Sequence, residues 1–180
     1  MPATRPALDY ALLGLINKHP AAGYALRRIF QTTALGMYSD SPGSIYPALR
    51  RLHRLGLVIA APERGGRRRR TYRITPRGRL TLRRWLEAPL TYREVAAGRG
   101  GAELRLAFLS DCITPARVRS FLSAYAGLLD RLHDELAESR RLMGAQLSLS
   151  SAIALDLGIT FTRARAAWCR RAARRIRETE

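Results

Sequence analysis

Arg50, Arg51 and Arg54 lie within the stretch SPGSIYPALRRLHRLGL, residues 41–57, and a helix would gather them on one side with Tyr46 and Pro47. A guanidinium is a planar fork of N–H donors that matches both phosphate oxygens and the hydrogen-bonding edge of guanine. No acidic residue falls in this stretch to neutralise the fork. The chemistry on offer is recognition of an anion, and on a rigid helix it becomes reading of DNA in the major groove. The other side of the same helix holds Ile45, Ala48, Leu49, Leu52 and Leu55. Ser44 is the expected N-cap, which places Pro47 in the first turn, where backbone N–H groups have no intrahelical partner. Gly56 then ends the helix as a left-handed residue. An ordinary amphipathic helix with a solvated basic face has the same wheel, so its neighbours must decide between the two.

Those neighbours are two helices before it and a hairpin after it. Residues 7–17 set Leu8, Ala11, Leu12, Leu15 and Ile16 on one stripe, ahead of Pro20. A second helix starts at Gly23-Tyr24, with Ala25, Leu26, Ile29, Phe30 and Thr33 inward, and a loop at residues 36–40 leads to the third. Residues 57–61 read as a short strand, Gly65-Gly66 as a hairpin tip, and residues 71–74 as a return strand with Tyr72 and Ile74 inward. Thr75-Pro76 caps a further helix with Leu80, Leu82, Trp85 and Leu86. Three helices, the third basic, followed by a hairpin make a winged helix-turn-helix. The wing carries Arg64, Arg67, Arg68, Arg69 and Arg70, placed to meet the DNA backbone or minor groove.

Charge supports this division. The 180 residues carry 32 Lys+Arg against 14 Asp+Glu, a net of +18. Residues 1–90 hold 17 basic and 4 acidic side chains, a net of +13; residues 91–180 hold 15 and 10, a net of +5. A basic chain of this kind favours nucleic acid or an anionic surface. No apolar run approaches the length of a spanning helix, and the N-terminus does not read as a signal peptide, so a cytoplasmic protein without a membrane partner is expected. Cys112 and Cys169 have no nearby cysteine, and the three histidines form no ligand cluster, so neither a metal nor another cofactor is expected. Without a phosphate-binding glycine loop, a G-x-S-x-G motif or paired carboxylates beside a histidine, the chain does not read as an enzyme.

The sequence resembles the PadR family of bacterial transcriptional regulators. The likeness rests on Leu12-Leu13-Gly14-Leu15, Gly23-Tyr24, the block GSIYPALRRL at residues 43–52, Gly56-Leu57-Val58, and RTYRITPRGR at residues 70–79. One departure is His53-Arg54, where the family often has an acid after the recognition helix's L-x-x-L. More weakly, residues 103–109 look like the helix opening the family's C-terminal domain, which brings in Leu104 and Phe108, and residues 158–168 look like the last helix of its longer members. The resemblance implies a homodimer on an inverted-repeat operator in double-stranded DNA. It also implies a repressor released by a small aromatic effector bound near the dimer interface; Trp168, Tyr125 and Tyr92 are candidates for its pocket, with core packing the favoured role for the first two.

The residues themselves carry the C-terminal half further. Val118, Leu122, Tyr125, Leu129, Leu132 and Leu136 follow a heptad seam after the cap Thr114-Pro115, to be buried between subunits or against the neighbouring C-terminal helix. Leu157, Phe161, Ala164, Trp168 and Ala172 form a stripe on the last helix, and Phe161 and Trp168 are assigned with the seam to the dimer interface. The expected fold is mainly α with a small β-hairpin wing. A winged helix-turn-helix DNA-binding domain spans residues 1–88, a linker without clear period spans 89–101, and an α-helical dimerisation domain spans 102–180. The DNA contacts fall to Ser44, Tyr46, Pro47, Arg50, Arg51 and Arg54 on the helix and to the arginines of the wing. A sequence-independent basic nucleic-acid binder is the alternative.

Overall fold

The computed structural model describes residues 6–39, 41–62, 70–98, 101–144 and 146–177. They fall into two compact units, Met1–Glu87 and Ala88–Glu180. In the first, α1 (Ala7–Lys18), α2 (Gly23–Thr32) and α3 (Pro42–Arg54) precede strands β2 (Val58–Pro62) and β3 (Arg70–Ile74), and α4 (Pro76–Glu87) closes the unit. A 3-10 turn, Ala34–Tyr38, lies in the loop before α3. The strands β2 and β3 pair antiparallel from Val58↔Ile74 to Pro62↔Arg70, as a wing should. A third strand, β1 (Ala21–Ala22), pairs with the far edge of β3, giving the order β1-β3-β2. Two alanines carry no β-pattern; this pairing comes from the open edge of β3, not from local propensity.

The core of this unit is where the helical stripes meet. Leu12, Ile16, Leu26, Phe30, Ile45, Leu49, Leu52 and Leu82 are all fully or nearly fully enclosed. Each such side chain is worth roughly 1.5–3 kcal/mol of transfer free energy. Tyr10 of α1 stacks on Trp85 of α4 with ring centroids 4.3 Å apart. Two inward assignments are corrected: Thr33 lies beyond α2 and is exposed, and Leu80 is exposed. In α4 the buried face is Gly78, Leu82 and Leu86, and Leu80 falls on the opposite side of that wheel.

Helix α3 ends in a Schellman turn, with Gly56 at φ 67°, its N–H donating to the His53 carbonyl at 2.9 Å and the Leu57 N–H to the Leu52 carbonyl at 3.0 Å. Thr75 ties this turn to α4. Its hydroxyl donates to the Gly56 carbonyl at 2.7 Å and accepts from the Gly78 N–H at 3.0 Å. Gly78 is pressed onto the Leu57 carbonyl, and an added methyl would also meet Ile74 Cγ1 at 2.7 Å.

In the second unit α5 (Tyr92–Ala96), α6 (Gly101–Leu106) and a short 3-10 turn precede two long helices, α7 (Pro115–Met143) and α8 (Leu149–Arg177). The stretch 89–101, expected as a linker without clear period, contains the helix α5. Thr91 and Glu94 form a capping box: the Glu94 N–H donates to the Thr91 hydroxyl at 3.2 Å and the Thr91 N–H to the Glu94 carboxylate at 2.9 Å. Val95 then joins the core of this unit.

The heptad seam closes within the chain. Leu122, Tyr125 and Leu129 pack with Ala166, Cys169 and Ala173, while Val118 and Leu132 lie partly buried at the edge of that cluster. Leu136 is half-buried, 3.5 Å from the place a Gly158 side chain would take. Leu104 and Phe108 are also enclosed in a single copy. Leu104, Phe108, Leu122, Tyr125 and Leu129 are thus already covered by their own chain in a single copy, and for the seam residues this is one of the two placements expected from the sequence. The large side chains of the stripe on α8 are left largely uncovered in a single copy. Small residues Thr162, Ala166, Cys169 and Ala173 face α7, and Leu157, Phe161 and Trp168 are exposed. Burial pushes the Cys169 thiol up to about 11.

Two outcomes follow. Gly78→Ala should destabilise the first unit by roughly 1–3 kcal/mol, because the new methyl meets backbone, as thermal or urea unfolding would register. Cys169 should resist alkylation in the folded protein at neutral pH and react once denaturant is added, which mass spectrometry of the labelled chain would show.

Candidate nucleic-acid interface

The outward face of α3 owes its shape to how the helix begins. Its N-cap is Ser41 rather than Ser44: the Ser41 hydroxyl accepts from the Gly43 N–H at 3.2 Å and Pro42 takes the first position. The helix therefore starts a turn earlier than the sequence implied, and Pro47 stands inside it. Pro47 has no N–H to return to the Gly43 carbonyl, so one rung of the ladder is absent there. Ser44 becomes a helical residue whose hydroxyl donates to the Ser41 carbonyl at 3.1 Å and pairs with the Ser39 hydroxyl. Tyr46 is partly exposed, and its ring lies against Gly23, where an added methyl would come within 2.8 Å of Cε1. That close approach explains a glycine at the start of α2.

Arg50 and Arg54 are exposed on the crest of α3, one turn apart. Two like charges at this spacing oppose helix formation by a few tenths of a kcal/mol. Among the described residues, no acid pairs with either. Arg51 is different. It makes a bidentate pair with Asp9 of α1, which is 0% exposed. Its hydrogen bond to that carboxylate raises the Arg51 pKa.

Between α3 and the strands of the wing lies an open cleft of about 570 Å³. Arg50, Arg51, His53, Arg54, Arg70 and Tyr72 line it, with Pro47 at one side, and among the described residues no acidic side chain does. The structure thus brings together Pro47, Arg50, Arg51, Arg54 and Arg70 of the residues expected from the sequence. Ser44 is turned into local hydrogen bonding, and Arg64, Arg67, Arg68 and Arg69 lie outside the described residues. His53, Tyr72 and Asp9 are the members of this site that sequence reasoning missed. A lone acid on the inward side of an apolar helix was the available signal for Asp9.

The second unit handles its charge in the opposite way. Arg131 pairs with Glu135 at 3.0 Å, Arg140 with Asp156 at 2.9 Å, Arg141 with Glu138 at 2.7 Å and Arg170 with Asp130 at 2.6 Å. Tyr92 donates to Glu135, which holds that carboxyl below its usual range, and its ring lies 4.2 Å beneath Arg131. Tyr125 donates to Glu103 at 2.6 Å, and Arg165 bonds both. An open groove of about 670 Å³ runs past Leu106, Leu109, Val118, Leu122, Trp168 and Ile176. It includes Trp168 of the three aromatic candidates, but neither Tyr125 nor Tyr92. Among the described residues no three His, Cys, Asp or Glu side chains are grouped to hold a metal ion, and no helix is long and apolar enough to cross a membrane.

Comparison with known proteins places these features. The chain is 46% identical over 65 residues to the transcriptional regulator Rv3488 of Mycobacterium tuberculosis, an alignment covering 34% of this chain and 59% of that protein. It is similar to Bacillus subtilis PadR, whose crystal structure in complex with operator DNA gives 20% identity and a TM-score of 0.41, with 96% of this chain and 99% of that one covered. The same protein in complex with p-coumaric acid gives 20% identity and a TM-score of 0.39, over 94% and 98%. Residues 12–84, from α1 to α4, match the transcriptional regulator PadR-like family. Through this winged helix-turn-helix unit, the chain is similar to the PadR-like family of transcriptional regulators, over less than half of its length.

Proposed function

We infer that the protein is a dimeric, sequence-specific DNA-binding regulator, a repressor of the genes whose operator it occupies. One observation carries this reading. Among the described residues, the arginines on the crest of α3 have no acidic partner and the cleft they open onto beside the wing has no acid in its lining, whereas many arginines of the second unit are paired. A surface of uncompensated guanidinium groups on a rigid helix suits a polyanion whose binding releases counterions. Arg50 and Arg54 are read as the base-contacting residues, with Tyr46 and Pro47 near the groove edge. The wing supplies backbone contacts. Two copies related by a twofold axis fit an inverted-repeat operator. The exposed Phe161 and Trp168 of α8 are the surface read as joining the copies. The groove beside Trp168, apolar over most of its lining, suits a small aromatic effector that releases the DNA.

The DNA reading is tested by comparing operator and scrambled duplex at two salt concentrations. Arg50→Ala or Arg54→Ala should cost roughly 1–3 kcal/mol per half-site, concentrated on the operator. Replacing Arg68 and Arg69 should weaken both duplexes alike and flatten the salt slope. Equal losses on both duplexes from the helix variants would favour a sequence-independent binder instead.

The dimer is tested separately. Phe161→Glu with Trp168→Glu should yield monomers by analytical ultracentrifugation while helical circular dichroism is kept, since both side chains are 48% exposed or more in a single copy. A double variant that still sediments as a dimer would move the interface elsewhere.

A further inference from the structure

The three arginines of α3 are not equivalent. Among the described residues no acid pairs with Arg50 or Arg54 on the crest, but Arg51 is held from below. Its Nε donates to Asp9 Oδ2 at 3.0 Å and its Nη2 to Asp9 Oδ1, joining residues 42 apart in sequence. The carboxylate is 0% exposed, while the Arg51 side chain remains 35% exposed and lines the cleft between α3 and the wing strands. One edge of the guanidinium is thus spent on Asp9. The Nη1 end is on the far side of that fork.

Stability alone is a poor reason for this pair. Burying a carboxylate with its partner brings little net gain over apolar side chains of similar size. What the pair does supply is a fixed plane. A free arginine must surrender rotamer freedom when it meets a ligand, and one already locked by a bidentate contact surrenders less. Among the described residues the cleft it faces holds Arg50, Arg54 and Arg70 and no acid, which suits a single anionic group.

We propose that Asp9 is a positioning residue for DNA binding, holding Arg51 so that the open edge of its guanidinium engages one backbone phosphate seated in the cleft between α3 and the wing. This rests on the DNA-binding reading given above. The enclosed carboxylate acts only through Arg51, and its contribution is geometric. In charge it works against binding, because it offsets one of the cleft's cations.

That opposition makes the experiment decisive. Wild type, Asp9→Asn, Arg51→Gln, Arg51→Lys and the double variant Asp9→Asn/Arg51→Gln are titrated with a short duplex of random sequence at two salt concentrations. Circular dichroism confirms folding at the temperature used. Arg51→Gln should weaken binding about tenfold and lower the salt slope by about one per copy bound. Asp9→Asn should weaken it by a similar factor although it removes a negative charge, which simple electrostatics would reward with tighter binding. In the Arg51→Gln background the Asp9 change should have no further effect, a non-additivity that general loosening of the fold would not produce. Arg51→Lys keeps the charge without the fork and should bind nearly as poorly as Arg51→Gln; it carries the test if Asp9→Asn does not fold. Binding by Asp9→Asn at or above the wild-type level, additive losses in the double variant, or full affinity in Arg51→Lys would each overturn the proposal. A wild-type protein that binds no duplex would overturn the DNA reading and this proposal together, whereas a binding wild type with unaffected variants would overturn this proposal alone.

Discussion

Complete enclosure of one face of α3 is the constraint on which the basic surface depends. Ile45, Ala48, Leu49 and Leu52 are all at 0% exposure, and the helix meets α1, α2 and the start of β2 through them. A short helix carrying like-charged arginines one turn apart, with a proline inside it, would not persist in water. Burial of its apolar face outweighs both penalties. The Schellman turn at Gly56 and the hydroxyl of Thr75 then fix where the helix stops and where α4 begins. The turn between α3 and β2 is thereby held to α4 at the Leu57–Gly78 contact.

Charge is distributed by the same logic of partners. Arginines that serve the fold have carboxylates beside them. Arg105 is nearly buried, yet its guanidinium donates to the Ala88 carbonyl at 2.6 Å and to Glu94 at 3.2 Å. Arg51 has Asp9. Arg50 and Arg54, which have no acidic partner among the described residues, stand where a polyanion is read as docking. A protein gains no stability from concentrating like charges on a surface. Their position is best understood as function held in place by packing.

The two long helices of the second unit separate size from burial. Gly158, Thr162, Ala166 and Ala173 lie on the inner side of α8 and allow α7 to approach closely, with Leu136 set against Gly158. The larger Leu157, Phe161 and Trp168 stand outward. An α-helix with apolar residues on both sides has a second surface to cover. That is the physical basis for reading this face as the contact between copies.

Much of the first unit was legible in the sequence because its signals are local. Apolar spacing of 3.6 marked α1 to α3, a Thr-Pro cap marked α4, and alternation around Tyr72 marked the wing. The family resemblance through GSIYPALRRL came from the same residues. The tertiary structure decided what depends on distant partners. Ser41 rather than Ser44 caps α3 because the hydrogen bonds at a helix start are settled by the incoming loop, not by the wheel. Arg51 turned from a presumed free contact into one anchored by Asp9, a partner no spacing rule connects. Ala21–Ala22 became a strand only because β3 offered an edge. The heptad seam was plain from residue types, but a seam states that a face is apolar and not whose helix covers it. Here the chain's own α8 covers it, because small side chains on that helix allow closer packing than the large ones the sequence made conspicuous.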